Sequence, residues 1–228
     1  MLTVSGTKSN NIGNSTFTAS VSKQGGKITL DMKSKYFMSQ NFDLRRVLIL
    51  EKNVSAVTIK TSLKNVNSKI ETPVLWINAI PNALPGGSWM IYPVRGKVKH
   101  AAGRSVEYLK KDTLLVDKNR VIKSLFIAPC QPWVATVYPQ QQLALVLVAN
   151  MKDLLKDGLL YSWHGPKDGV QISTMEIIAS PVSLQPGESK TISSRILIFK
   201  GISDISTVCG NIAISNKTNM DKNRINIK

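Results

Sequence analysis

A chain of 228 residues in which 43% of side chains are hydrophobic and 19% charged carries enough apolar material to bury a core, which excludes disorder over its whole length. Thirty Lys and Arg against 14 Asp and Glu give a formal net charge of +16, which favours anionic partners over cationic ones, yet the cations are dispersed along the chain rather than gathered in one run. No stretch reaches the ~18 apolar residues of a membrane helix, and neither Cys130 nor Cys209 stands in a metal-ligand spacing, so no membrane span, metal or cofactor is expected.

The opening, Met1 to Asn14, lacks the basic-then-apolar pattern of a secretory signal, so a secreted or periplasmic location would require a leader already removed. Only in such a compartment would Cys130 and Cys209 be expected to pair; in a reducing one they are two thiols. Lys27 to Lys33 then alternates Ile28, Leu30 and Met32 with Thr29 and Asp31, the period of a strand with one wet face. Arg46 to Leu50 is a second strand, and Val57 to Leu63 alternates in the same way. Pro73 to Ile80 follows, and Leu84 to Arg104, opened by Pro85-Gly86-Gly87, reads as a loop. Further strands are predicted at Leu114 to Val116, Val121 to Ile127, Trp133 to Tyr138 and Leu143 to Ala149, several so continuously apolar that they belong at the centre of a sandwich.

Met151 to Lys156 has room for a single helical turn, and no longer segment shows a helical period. Leu159 to Trp163 and Val170 to Ile178 flank His164-Gly165-Pro166-Lys167-Asp168-Gly169, which suits a hairpin loop centred on Lys167 with His164 opposite Val170. Ser180 to Leu184 and Ser189 to Phe199 flank the turn Gln185-Pro186-Gly187-Glu188. The expected fold is all-β, an antiparallel β-sandwich forming a single domain over residues 1–215, followed by a polar tail, 216–228, expected to be poorly ordered.

The stretch Met175-Glu176-Ile177-Ile178, the run Ser180-Pro181-Val182-Ser183-Leu184-Gln185-Pro186-Gly187-Glu188-Ser189 and the closing Ile196-Leu197-Ile198-Phe199 resemble the C-terminal strands of galactose-mutarotase-like (aldose 1-epimerase-like) proteins. Ser62 to Trp76, with Asn65-Val66-Asn67 and Thr72-Pro73-Val74-Leu75-Trp76, resembles that family's strand, turn and strand leading to the sugar-facing loop, and Pro132-Trp133-Val134-Ala135 resembles a strand of uncharacterised bacterial members. The resemblance implies a β-supersandwich with a concave sugar-binding sheet, shortened here because members are usually longer.

Anomer interconversion needs a base at the anomeric hydroxyl and an acid at the ring oxygen. By the resemblance Glu176 takes the place of the family's glutamate base, while the family's histidine acid falls near Asn78, whose amide cannot serve as a general acid. His100 and His164 are the histidines left to substitute; six residues from Val170 to Glu176 would separate His164 from the glutamate by roughly 20 Å. Glu176 itself has two readings, a catalytic carboxylate or an outward-facing strand residue paired with a cation such as Arg195.

Binding has broader support. Trp89 and Trp163 lie beside Gly/Pro-rich segments where an indole can stack on a sugar, whereas Trp76 and Trp133 interrupt apolar strands and are expected in the core. Tyr92 adds a phenol, and Arg95, Lys97, Lys99 and Arg104 form a cationic cluster suited to a carboxylate, sulfate or phosphate on a sugar.

The function this predicts is carbohydrate binding without standard epimerase activity, the partner being a neutral or acidic sugar or oligosaccharide. The site residues are Glu176 and His100 for any catalysis and Trp89, Tyr92, Arg95, Lys97, Trp163, His164 and Asn78 for binding. An aldose-epimerase-like isomerase using Glu176 and an accessory sandwich in a larger assembly are the alternatives. No specific nucleic-acid partner is expected, because basic and aromatic residues interleave only between Trp89 and Arg104.

Overall fold

The computed structural model describes residues 2–5, 10–11, 16–37, 41–79, 88–94, 105–110, 123–127, 131–154, 160–167 and 170–215. Among these the structure is β throughout apart from one 3-10 turn, Met151–Asp153, opened by Asn150, whose side chain accepts a hydrogen bond from Lys152 N at 3.2 Å. The predicted strand at 114–116, Cys130 and the tail after 215 lie outside the described residues. The chain divides into two compact units, each drawn from separate stretches of sequence.

The first unit comprises Met1–Asn78, Ala149–Lys156 and Ile177–Ile196. Its strands β3 (Thr18–Gln24), β4 (Lys27–Phe37), β5 (Phe42–Glu51), β6 (Ala56–Asn65) and the first part of β16 (Ser189–Lys200) run side by side in that order. Along β6 the alternation is regular: Ile59, Thr61, Leu63 and Asn65 are buried while Lys60 and Lys64 are exposed. The register sets Leu44 beside Leu63, Arg46 beside Thr61 and Leu48 beside Ile59, so one face of this group is largely apolar. Strand β3 escapes the sequence pattern because every residue in it is exposed. It is a strand by virtue of its pairing with β4 across Gly25 and Gly26, whose φ of 56° and 75° suit a two-residue hairpin.

A second strand group of this unit holds β1 (Leu2–Ser5), β2 (Asn10–Asn11) and β7 (Val74–Ala79). The segment Ser180 to Leu184, expected as a strand, forms only an isolated bridge, Leu184 N to Glu71 O at 2.8 Å and Glu71 N to Leu184 O at 3.1 Å. Pro181 has no N–H for a ladder, and the chain turns immediately after Leu184. That turn is the predicted Pro-Gly one, with Gly187 at φ 82° and Glu188 N donating to Gln185 O at 3.0 Å. It docks on Asn65, which is fully buried; Asn65 Nδ2 donates to Lys69 O at 2.8 Å and to Leu184 O at 2.9 Å, and its Oδ1 accepts from Asn67 N at 2.9 Å.

The second unit comprises Ala79–Val148, Asp157–Glu176 and Leu197–Lys228. Here β12 (Leu143–Ala149), β11 (Trp133–Tyr138), β8 (Trp89–Val94) and β9 (Ser105–Lys110) lie in that order, and the first two match the predicted spans residue for residue. Every residue of β11 is buried, as its unbroken apolar run requires. Trp133 is a core residue, 1% exposed, with its Nε1 donating to Gln131 Oε1 at 2.8 Å. The expected loop between Leu84 and Arg104 is corrected in its middle: residues 89–94 are a strand in which Met90, Ile91 and Tyr92 are buried. The Gly/Pro stretch and the basic run on either side masked a short apolar segment whose hydrogen-bond partners, β9 and β11, are non-local.

The remaining strands of this unit are β10 (Lys123–Ile127), β13 (Leu160–Lys167), β14 (Val170–Ser173) and the first half of β15 (Met175–Ile178), with β13 lying between β10 and β15 and also pairing with β14. A small hairpin of β17 (Thr207–Cys209) and β18 (Ile212–Ile214) follows, and the Cys209 thiol on it is free and exposed. No helix among the described residues is long and apolar enough to cross a membrane.

Candidate functional site

Residues Thr174 to Ala179 are all buried, so β15 is withdrawn from water on both faces. A glutamate in such a run must find a partner, since burying a carboxylate without one is costly. Residues two apart share a face of an extended chain, and the Thr174 hydroxyl donates to Glu176 Oε1. Glu176 is 5% exposed, which removes the reading of an outward-facing strand carboxylate. A carboxylate held this way accepts hydrogen bonds and can take a proton from a hydroxyl brought against it.

The strand next to β15 is β13, which carries Trp163 and His164. The hairpin expected to centre on Lys167 is displaced: Lys167 pairs with Val170, and His164 with Ser173 rather than near Val170. Gly165 and Pro166 are absorbed into the strand, opposite Ile172 and Gln171, so both strands extend into the segment expected as a loop. Ser173 is three residues from Glu176, which reduces the His164 to Glu176 offset along the sheet from roughly 20 Å to about 10 Å. On its other side β13 pairs with β10, placing Trp163 opposite Ser124 and His164 opposite Lys123.

Trp89 and Tyr92 are not on these strands. Trp89 and Tyr92 lie on β8, in a different sheet from β13 and β15, with Trp89 opposite Val137 and Lys110 and Tyr92 opposite Glu107. Tyr92 is 3% exposed. Asn78 is on β7, one residue beyond the Leu2–Ile77 pair, and β7 is the strand next to β15 on the side away from β13. His100, Arg95, Lys97, Lys99 and Arg104 lie outside the described residues. The residue that sequence reasoning missed is Thr174; strand alternation alone places it on the face of Glu176, and its hydroxyl donates to that carboxylate. Among the described residues no group of three or more His, Cys, Asp or Glu converges as a metal ion would require.

No protein-family model matches the sequence, and no curated protein matches it. Solved structures do match the fold. The Slr1438 protein of Synechocystis sp. PCC 6803 aligns with 80% of this chain and 65% of its own length, at a TM-score of 0.56 and 11% identity. A TPR-domain containing protein from Parabacteroides distasonis aligns with 86% of this chain and 37% of its own, at 0.59 and 11%. A candidate aldose 1-epimerase from Escherichia coli K12 aligns with 81% of this chain and 68% of its own, at 0.51 and 12%. The chain thus spans less than two thirds of the first two proteins. It has the galactose-mutarotase-like antiparallel β-sandwich fold, the class that its C-terminal strands resemble in sequence, and its fold neighbours include mutarotase-like proteins and galactosidases.

Proposed function

We propose that this protein binds carbohydrate, with Glu176 as the acceptor carboxylate of the site and Trp163, on the strand beside it, as the stacking indole. The observation that carries the reading is the burial of Glu176 against the Thr174 hydroxyl, in a fold whose neighbours are mutarotase-like and galactosidase-related. Sugars are recognised by a few placed polar groups within an otherwise apolar setting, and β15 supplies one such group inside an apolar strand. Asn78 stands where the family resemblance calls for a histidine, which supports binding without standard epimerase chemistry. The test is an array of neutral and acidic glycans. At least one saturable ligand is expected; an array silent to a protein with native circular dichroism would refute the proposal.

The same buried carboxylate favours a second reading, an aldose-epimerase-like isomerase in which Glu176 takes the anomeric proton and His164 or His100 supplies the acid. Polarimetry of a freshly dissolved single anomer decides it. Acceleration that disappears in Glu176→Gln supports the isomerase, and no acceleration between pH 5 and pH 8 removes it.

A further inference from the structure

Two consecutive arginines on β5 have opposite fates. Arg45 is on the outer face, where its Nε and Nη2 donate to Asp31 Oδ1 and Oδ2 at 3.0 and 2.9 Å. Arg46 points to the inner face, beside Met32 on β4 and Thr61 on β6. Its Nε is buried without a hydrogen-bond partner, and the ion pairs among the described residues engage Lys27, Lys33, Arg45 and Lys190 instead. Burial lowers the pKa of this guanidinium from its ordinary value, and no acidic neighbour among the described residues offsets it. Charged groups are rarely buried unless paired.

Two further unpartnered groups share this face. Thr61 is fully buried, and its Oγ1 has no partner. Ser194 on β16 is 2% exposed, and its Oγ likewise has none. The face of Ser194 follows from Thr191, whose hydroxyl meets that of Ser62 at 2.7 Å on the outer side, so that Ile192 and Ser194 turn inward beside Thr61 and Ile59. A cationic fork with two hydroxyl donors on neighbouring strands is what an oxyanion requires, and a guanidinium takes planar oxyanions through two parallel hydrogen bonds.

We propose that Arg46, Thr61 and Ser194 form an oxyanion-binding site on the inner face of β5, β6 and β16, taking the carboxylate, sulfate or phosphate group of a ligand. It lies wholly in the first unit, whereas Glu176 belongs to the second, and it does not depend on the carbohydrate reading. The test is thermal unfolding at constant ionic strength, titrating sodium sulfate, sodium phosphate and sodium galacturonate against chloride, with galactose as the uncharged control. The wild type is expected to show a saturable rise in melting temperature with at least one oxyanion. Sulfate or phosphate acting alone would identify an inorganic or ester anion, and galacturonate acting alone an acidic sugar. Arg46→Met should abolish the rise, and Thr61→Val should weaken it at least tenfold in half-saturating concentration. In anion-free buffer Arg46→Met should melt at or above the wild-type temperature, because an apolar chain replaces a half-buried cation whose Nε lacks a partner. The absence of a saturable rise with any of the three anions, an equal rise in Arg46→Met, or a sharp loss of stability in that variant without anion would each overturn the proposal. Any effect of galactose that survives Arg46→Met belongs to the carbohydrate reading and leaves this test unchanged.

Discussion

The Thr174 hydroxyl donates a hydrogen bond to Glu176 Oε1 from two positions away on the same buried strand face. The bond couples the fold to the candidate site, because it both compensates a buried carboxylate and fixes its orientation. Thr174→Val preserves the shape and β-branching of the side chain and removes only the donor. We expect it to lower stability by about 1–3 kcal/mol, the cost of leaving a buried polar group short of a partner, as read by urea denaturation. A variant as stable as the wild type would mean that other groups satisfy the carboxylate without Thr174.

Asn65 ties the end of β6 to the Pro-Gly turn through the bonds of its side chain to Lys69 O, Leu184 O and Asn67 N. Asn65→Ala should therefore cost about 3 kcal/mol at roughly 1 kcal/mol per bond. Asn65→Asp should be no better, because a carboxylate cannot donate to the two carbonyls. Denaturation midpoints of the two variants, compared at pH 7, check this.

Asp31 is held below its ordinary value of 3.8 chiefly by the hydrogen bonds from Arg45, with Lys33 adding to the effect. A carboxyl whose folded-state pKa is lowered contributes stability that is complete above its unfolded pKa and is lost as pH falls through the folded one. Asp31→Asn should thus lower stability at neutral pH, by less than about 1 kcal/mol for a solvent-screened pair on the outer face. The difference from wild type should shrink below pH 4 and be reduced by high salt. Stability curves from pH 2 to pH 7 measure it; a difference that grows toward acid would contradict the assignment.

How far the sequence could be read depended on whether a segment's partners were local. Trp133 to Tyr138 and Leu143 to Ala149 declare themselves through unbroken apolar runs, and Val57 to Leu63 through alternation, because burial by itself writes those patterns. Thr18 to Gln24 is polar and exposed, so only its pairing with β4 makes it a strand. Trp89 to Val94 is hidden by the glycines before it and the cations after it, although Met90, Ile91 and Tyr92 are core. Within the candidate site, the family resemblance locates Glu176, but its burial and its tie to Thr174 depend on the packing of neighbouring strands. The register of His164 is not legible in the sequence, because Gly165 and Pro166, ordinarily loop residues, pair within the strand opposite Ile172 and Gln171.

The most direct test of the central claim is calorimetric titration of the wild type and Glu176→Gln with the strongest ligand from the glycan array, accompanied by thermal melts of both. Glu176→Gln keeps the size of the side chain and can still accept from Thr174, but it loses the charge that strengthens hydrogen bonds from sugar hydroxyls. The account predicts saturable binding by the wild type and at least tenfold weaker binding by Glu176→Gln, equivalent to about 1.4 kcal/mol, with little change in melting temperature. Equal affinity in the two proteins would contradict it and assign Glu176 to the architecture of the strand alone.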